Sequence, residues 1–283
     1  MQRPKSTTSA TTTAGRSALS NMGQRFVFGL IWLVVALTCL AWGEWPWTIF
    51  VAFGAMVGVV EFCALAHGRP IEGVAWVGAP AAAVIVVGFE LGETAVVVGA
   101  LVAAAVGALI GARFLQRTSG AALMTILGLV YVAVPLGITV LLRRELGVFG
   151  VLLALMITAG SDTFAYFGGR MFGRTPLAPR ISPKKTVEGM VIGLVGGAVL
   201  AAAVLAMAGG LTLSSLIIPL LGPPLAVIGD LLESALKRYF DVKDSHLPRF
   251  NVIPGHGGVL DRTDSLLLVA PFLAIVLTII GML

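Results

Sequence analysis

Charged residues that could perform chemistry concentrate near the C-terminal end of an otherwise apolar sequence. Residues 229–264 carry the acids Asp230, Glu233, Asp241, Asp244, Asp261 and Asp264 and the bases Lys237, Arg238, Lys243 and Arg262. Carboxylates from two separate positions, Asp230 and Asp261, supply the oxygen ligands that Mg²⁺ takes, and the neighbouring cations suit phosphate charge. The segment therefore predicts a site that handles phosphates with a divalent cation. The alternative is a solvated charged loop with internal ion pairs.

The first part of this segment has the periodicity of a helix. Its polar residues stand at offsets 0, 3, 4, 7 and 11 on one helical face, namely Asp230, Glu233, Ser234, Lys237 and Asp241. The opposite face is apolar, and Pro223 and Pro224 suit a first helical turn. We therefore expect a helix that begins at these prolines and lies along the edge of the membrane, with a polar cleft above it.

A glycine-rich turn follows, with the sequence Pro254-Gly255-His256-Gly257-Gly258. Its glycines permit the positive φ angles that build a backbone nest for anions. A lone histidine in such a turn is more often a hydrogen-bonding scaffold than a base. Asp264 then stands where an N-cap of the last apolar run is expected.

A second polar segment, residues 161–188, precedes the first one in the chain. Asp162 ends an apolar run, where a carboxylate is costly unless it has a partner or a function. Ser182 and Pro183 resemble a helix N-cap and first turn, so the free backbone amides, Lys184, Lys185 and Thr186 could hold a phosphate. The alternatives are that the lysines only anchor a membrane span and that Asp162 lies in interfacial water.

Composition indicates an integral membrane protein. The 283 residues are 58% hydrophobic and 12% charged, far below the roughly 25% charged residues of soluble domains. The two cysteines, Cys39 and Cys63, both lie in apolar runs and form neither a disulfide framework nor a CxxC metal site. The net charge of +5 comes from cations scattered between apolar runs, which argues against nucleic-acid binding.

Hydropathy divides the chain into a tail and nine apolar segments. We expect residues 1–25 to be a disordered cytoplasmic tail rather than a cleaved signal peptide, and residues 26–283 to form one helical membrane domain. The predicted spans are residues 26–42, 47–66, 71–89, 94–110, 121–142, 148–160, 189–208, 211–228 and 265–283. With the N-terminus inside, all of the 19 lysines and arginines except Arg143 and Arg144 fall on the cytoplasmic side. Both polar segments then face the cytoplasm.

The motifs resemble those of the phosphatidate cytidylyltransferase, or CDP-diacylglycerol synthase, family. The family signature reads here as Ser234, Leu236, Lys237, Arg238, Lys243, Asp244, Pro254, His256, Gly257, Gly258, Asp261, Arg262 and Asp264. Residues 161–166 and 182–189 also resemble family elements, so the resemblance covers about the C-terminal half, residues 160–283. The spacing from Asp244 to His256 is about four residues longer than in the family pattern, which predicts a surface excursion.

The resemblance implies an all-α polytopic membrane protein with about nine transmembrane helices and two cytoplasmic polar loops that form the active site. It implies transfer of the cytidylyl group of CTP to phosphatidic acid, giving CDP-diacylglycerol and pyrophosphate for phospholipid biosynthesis. The implied location is the cytoplasmic (inner) membrane, among membrane lipids and with the active site facing the cytoplasm. A homodimer is compatible with this reading, and nucleic acid is not a partner.

The resemblance also implies residue roles. Mg²⁺, with room for a second, monovalent cation, is assigned to Asp230, Asp261 and Glu233. The residues assigned to catalysis are Asp230, Asp261, Lys237, Arg238 and Asp264. The residues assigned to substrate binding are Asp162, Ser182, Lys184, Lys185, Thr186, Lys243, Asp244, His256, Gly257, Gly258 and Arg262.

Three other functions fit parts of the pattern. A CTP-dependent membrane lipid kinase would use similar groups but release CDP. A secondary transporter would place its ionisable residues at the membrane midplane, in broken helices, whereas here they lie in loops. A membrane scaffold without activity would tolerate neutralisation of Asp230 or Asp261.

Overall fold

The structure is a computed structural model that describes residue 27 and residues 29–67, 75–115, 119–242 and 257–283. Within these ranges it is built from helices and one small hairpin. The helices of the first half are α1 (Gly29–Trp42), α2 (Glu44–His67), α3 (Ala75–Leu91), α4 (Thr94–Phe114), α5 (Ser119–Gly128), a π-turn (Leu129–Ala133) and α6 (Val134–Leu146). The second half contains α7 (Val148–Phe172), β1 (Pro176–Ala178), β2 (Ser182–Thr186), α8 (Val187–Met207), a 3₁₀ turn (Ser214–Leu216), α9 (Ile217–Tyr239), α10 (Leu260–Thr263) and α11 (Leu266–Ile279).

Six helical segments of the described residues are long and apolar enough to cross a membrane. They are Glu44–Leu65, Thr94–Phe114, Gly120–Leu146, Val148–Phe172, Val187–Met207 and Ser214–Tyr239. The helices α1, α3 and α11 are apolar but shorter. Because isolated helices satisfy their own backbone hydrogen bonds, this is the architecture of an all-α membrane protein.

Close packing between α7 and α8 depends on glycine. A Cβ on Gly193 would lie 2.7 Å from the backbone oxygen of Ser161, and one on Gly189 would lie 2.7 Å from that of Ala165. Small residues four apart along a membrane helix let two backbones approach in this way. The approach brings the polar end of α7 next to the start of α8.

Arg143 and Arg144, predicted on the non-cytoplasmic side, hold the ends of other helices together. Arg143 Nε donates to the backbone oxygen of Leu40, 3.2 Å away. Arg144 Nη1 donates to the backbone oxygens of Phe89 and Glu90, at 2.9 and 3.2 Å. Carbonyls at a helix C-terminus lack partners within their own helix, so these arginines cap α1 and α3.

The predicted helix start at Ser182 is wrong. Residues Ser182–Thr186 form strand β2, which pairs antiparallel with β1, and α8 begins at Val187. Thr186 is the N-cap, since its Oγ1 accepts a hydrogen bond from the Gly189 amide at 3.2 Å. Pairing with β1 satisfies the backbone of this segment outside a helix. The polar segment is also shorter than predicted, because α7 continues to Phe172.

The predicted start of the amphipathic helix at Pro223 and Pro224 is also wrong. Helix α9 begins at Ile217 and passes through both prolines, so no separate interfacial helix forms. Pro223 is buried together with the fully buried Ile218 and Ala226, and this packing outweighs the lost backbone hydrogen bonds.

Asp241 does not lie on the predicted helical face, because α9 ends at Tyr239. Asp241 has φ 54, in the left-handed region. The Val242 amide donates to Lys237 O at 2.9 Å and the Asp241 amide donates to Arg238 O at 3.2 Å. These two bonds are the Schellman motif that terminates helices.

Candidate active site

The polar face of α9 carries two ion-pair clusters. In the first, the Lys185 cluster, Lys185 Nζ of β2 forms an ion pair with Asp230 Oδ2 of α9. Ser234 Oγ, one turn further along α9, lies 3.5 Å from the other oxygen of Asp230. Lys185 and Asp230 are both largely covered, with side-chain exposures of 28% and 19%. Asp230 therefore holds β2 against α9.

Asp162 and Asp264 complete the Lys185 cluster. Burial, followed by the negative charges of Asp230 and Asp162, raises the pKa of Asp264 to about 7, against the opposing effects of the Ser265 amide and Lys185. Gly229 permits this approach, since a Cβ there would lie 2.8 Å from the backbone oxygen of Asp264. Three carboxylates from separate segments of the chain thus influence one another around one lysine.

A cavity of about 490 Å³ opens beside this cluster. Its polar lining consists of Asp162, Arg170, Ser182, Lys184, Lys185, Thr186 and Asp230. Its apolar lining includes Leu177, Met190 and Val227. The structure therefore brings Ser182, Lys184, Lys185 and Thr186, from a strand and a helix cap, to one cavity with Asp162 and Asp230.

In the second cluster, the Lys237 cluster, one lysine contacts two carboxylates. Lys237 Nζ lies 2.6 Å from Glu233 Oε2 and 2.7 Å from Asp261 Oδ1. Glu233 is fully buried, and the Lys237 and Asp261 side chains are 15% and 13% exposed. The cluster therefore ties α9 to the one-turn helix α10.

Asp261 is held in its ionised form. Burial makes the largest contribution and would raise its pKa, but hydrogen bonds from Lys237 and from the Gly258 amide outweigh burial and lower the pKa to about 2. The Gly258 amide donates to Asp261 Oδ2 at 2.8 Å. Gly257 has φ +79, and a Cβ on it would lie 2.4 Å from Asp261 Oδ2, so this turn requires glycine.

Glu61 is a site residue that sequence reasoning missed. It is 1% exposed on α2, and its Oε2 accepts a hydrogen bond from the Leu260 amide at 2.9 Å. The bond holds the first residue of α10, and so the neighbouring Asp261, against the N-terminal half of the molecule. A single carboxylate inside an apolar span was the signal that could have identified Glu61.

The remaining predicted residues lie around these clusters. Arg238 Nε donates to the backbone oxygen of Ile181 at 3.3 Å, in the turn between β1 and β2. Arg262 is exposed on α10. The predicted site residues that lie outside the described ranges are Lys243, Asp244 and His256, together with the longer spacing between the last two.

The sequence model of the Cytidylyltransferase family matches residues 23–280, which is most of the chain. The chain belongs to the cytidylyltransferase family. Both clusters, the cavity and Glu61 lie inside the matched range.

Individual relatives carry a more specific name. The phosphatidate cytidylyltransferase of Bacillus subtilis (strain 168) is 42% identical over 138 residues, 48% of this chain and 49% of the relative. That of Thermotoga maritima is 38% identical over 161 residues, covering 54% and 58% of the two chains. That of Haemophilus influenzae is 39% identical over 132 residues, 44% of each. The chain thus matches about half the length of these curated relatives.

The residues that the sequence assigns to Mg²⁺ carry the donor type that this ion takes. Asp230, Asp261 and Glu233 offer carboxylate oxygens, the ligand type of this ion, which commonly takes one or two carboxylates and completes its shell with substrate phosphates and water. Within the described ranges, no group of three or more acidic, His or Cys side chains is arranged to hold a metal ion. Asp230 contacts Lys185, and Glu233 and Asp261 contact Lys237. Any ion shared by Asp230 and Asp261 would therefore compete with both lysines.

The site can neutralise and align phosphate groups. In the cavity, Lys184 and the partly covered Lys185 lie beside the carboxylates of Asp162 and Asp230, next to an apolar wall that makes electrostatic interactions stronger than in water. Lys184 is exposed in the cavity, so it can meet a ligand without breaking a contact within the cluster. Such a site suits transfer of a phosphorus-centred group.

Proposed function

We propose that this protein is a phosphatidate cytidylyltransferase, an enzyme that converts CTP and phosphatidic acid to CDP-diacylglycerol and pyrophosphate for phospholipid biosynthesis. Family membership supports the nucleotidyl transfer, and the names of the relatives support the lipid acceptor. The observation that carries the proposal is the cavity beside the Lys185 cluster. Its basic residues and its apolar wall suit a phosphate-bearing substrate at a membrane surface.

In the proposed reaction, an oxygen of the lipid phosphate attacks the α-phosphorus of CTP. A new P–O bond forms, the bond to the β-phosphate oxygen breaks, and pyrophosphate leaves with the electron pair. Because the attacking phosphate is anionic at neutral pH, the reaction needs no strong base. Catalysis then rests on alignment and on neutralising charge in the transition state.

The residues divide this work between the two clusters. Lys184 and Lys185, with Ser182 and Thr186, hold one phosphate-bearing substrate in the cavity. Lys237, Arg238 and Arg262 face the triphosphate or the lipid phosphate, and Asp264 supports the carboxylates of the Lys185 cluster. The residues outside the described ranges that we assign to substrate are Lys243, Asp244 and His256.

Asp230 and Asp261, with Glu233 in support, would hold Mg²⁺, with a monovalent cation beside it. When bound, this ion supplies charge neutralisation at the phosphates. Lys185 and Lys237 would also orient these carboxylates, since Lys185 contacts Asp230 and Lys237 contacts Glu233 and Asp261.

The test of the proposed function is pyrophosphate release by the purified protein in detergent. Release should require CTP, phosphatidic acid and Mg²⁺ together. Lys184→Ala should raise the KM of one substrate and leave thermal stability unchanged, because Lys184 is exposed. Arg113→Ala, which removes an exposed cation at the end of α4, is the matched control. Release of CDP without pyrophosphate would reject the proposal in favour of a lipid kinase.

We further propose that the three shorter apolar helices also cross the membrane, giving nine crossings of the inner membrane with the site on the cytoplasmic side. The distribution of basic residues supports this orientation. Residues 26–283 then form one membrane domain preceded by a cytoplasmic tail. A cysteine replacing Glu93 should react with an impermeant thiol reagent in intact cells, while one replacing Lys184 should not. The reverse pattern would overturn the orientation.

A further inference from the structure

A second cavity, of about 400 Å³, lies apart from the Lys185 cluster on the N-terminal side of the molecule. It is a groove lined mainly by α1, α2, α6 and the α10 turn, with Leu155 of α7 and Leu266 of α11 beside them, and we refer to it as the α1–α10 groove. Its lining includes Ala36 and Leu40 of α1, Trp47 and Gly54 of α2, and Val259 and Arg262 at the α10 turn. None of the roles assigned above uses this groove as a whole.

The groove has an apolar length and one charged end. Arg262 is the charged residue among its described lining residues. The hydroxyl groups of its two threonines are engaged within their own helices, since Thr139 donates to Leu136 O at 2.6 Å and Thr263 donates to Val259 O at 3.1 Å. A ligand along the groove therefore meets a mainly apolar wall until it reaches Arg262.

The ends of the groove can be placed along the helices. Val259 packs beside Gly54, because a Cβ on Gly54 would lie 3.9 Å from Val259 Cγ1. Trp47 lies two turns away on α2, next to the end of α1 that carries Leu40. Along α1, lining residues extend from Gly29 to Leu40, about 16 Å at 1.5 Å per residue. One leaflet of the hydrocarbon core is about 15 Å thick, so the groove has the length of one lipid acyl chain.

The charged end adjoins the reaction site. Arg262 and Asp261 are neighbours on α10, and Asp261 faces Lys237, 2.7 Å away. The groove and the Lys237 cluster thus meet at two adjacent residues of this one-turn helix. An anionic group held at Arg262 would lie at the edge of that cluster.

We propose that the α1–α10 groove binds one acyl chain of an anionic phospholipid, with the phosphate of its head group at Arg262. The identity of this lipid as phosphatidic acid rests on the proposed function. The groove fits an acyl chain in length and polarity, and the positive charge of Arg262 complements the phosphate. The lipid then enters from the bilayer side, where the groove-lining residues Leu33 and Leu37 of α1 are exposed.

The test uses phosphatidic acid with a photoreactive diazirine in mid-chain, cross-linked to the purified protein and located by mass spectrometry. Label should appear on peptides from α1 and α2 within residues 29–54. Unlabelled phosphatidic acid should compete for it at least about tenfold better than phosphatidylcholine, because only the former leaves its phosphate charge uncompensated. Equal competition by the two lipids would overturn the assignment of Arg262 as the phosphate end, and label confined to other helices would overturn the groove.

Two variants fill the groove without touching the chemistry. Ala36→Phe and Gly54→Val should each reduce labelling, and should raise the KM of long-chain phosphatidic acid about tenfold, the effect of losing contact with about two methylene groups. The KM of a short-chain analogue and that of CTP should not change. Val35→Phe, which adds the same ring at an exposed neighbouring position, is the control. An equal effect of Val35→Phe and Ala36→Phe would refute the groove.

The two proposals can fail separately. Competable label in the groove, with no CDP-diacylglycerol formed under any condition, would refute the proposed function and keep the lipid groove. Formation of CDP-diacylglycerol with label outside the groove would refute the lipid groove and keep the proposed function.

Discussion

Replacing Glu61 is the sharpest test of how the two halves of the molecule build the site. Glu61→Leu fills a similar volume but removes the oxygen that accepts the Leu260 amide across 199 residues of sequence. A buried amide left without its acceptor costs about 1–3 kcal/mol. The lost hydrogen bond weakens the attachment of α10, which carries Asp261 and Arg262. If α10 is released to that extent, turnover should fall about 5- to 150-fold.

Glu61→Gln keeps an oxygen at the same position and should retain most of the activity. A matched control is Glu90→Leu, which removes another buried glutamate of the N-terminal half, one that accepts from Thr48 Oγ1 at 2.9 Å. It should lower thermal stability without loosening α10. Hydrogen exchange of the Leu260 amide, measured beside kcat, separates the two effects. The reasoning is refuted if Glu61→Leu leaves both quantities unchanged, or if Glu90→Leu accelerates exchange at Leu260 equally.

Three further outcomes are expected. Asp230→Asn and Asp261→Asn should each lower kcat about a hundredfold, and the double variant should lower kcat scarcely further. Mn²⁺ should partly restore the activity of the single variants. If the losses multiply in the double variant and Mn²⁺ restores no activity, the two aspartates have separate roles. Gly193→Ala should destabilise the protein by about 1–3 kcal/mol in thermal unfolding, because the new Cβ would meet a backbone oxygen of α7. Gly99 has open space around it, so Gly99→Ala should be neutral or stabilising. Equal effects of the two substitutions would show that close packing at Gly193 is not what requires glycine. Asp241→Gly should raise thermal stability by up to about 1 kcal/mol, since φ 54 favours glycine, and a loss of stability would contradict this.

The sequence predicted the membrane architecture because long apolar runs are a local signal. Asp162, Lys185 and Asp230 are conspicuous in apolar surroundings, and the structure places all three at one cavity. In both cases the residue type alone indicates the role, without knowledge of which other residues it contacts.

Elements set by partners distant in sequence were not predictable. Strand β2 depends on pairing with β1, and Pro183 suggested a helix start when read alone. Helix α9 continues through Pro223 because burial of its neighbours outweighs proline's local preference. Glu61 gains its role only when α10 is placed against α2. The groove likewise requires six helices to be positioned before its lining exists.

The spacing of charged residues along the sequence reveals only some of the acid–base pairs. The i,i+4 pair of Glu233 and Lys237 follows from the helical period. The contact of Lys237 with Asp261 and that of Lys185 with Asp230 join different segments, so spacing cannot reveal which base meets which acid.

In the proposed reaction, the α-phosphorus of CTP moves to the lipid, and this transfer can be measured. It is tested most directly by incubating the purified protein and phosphatidic acid with CTP labelled at either the α- or the γ-phosphate, and by measuring label in the lipid fraction. The proposed reaction predicts that α-label enters the lipid and γ-label is recovered as pyrophosphate. Transfer of γ-label to the lipid, with α-label recovered as CDP, would contradict it.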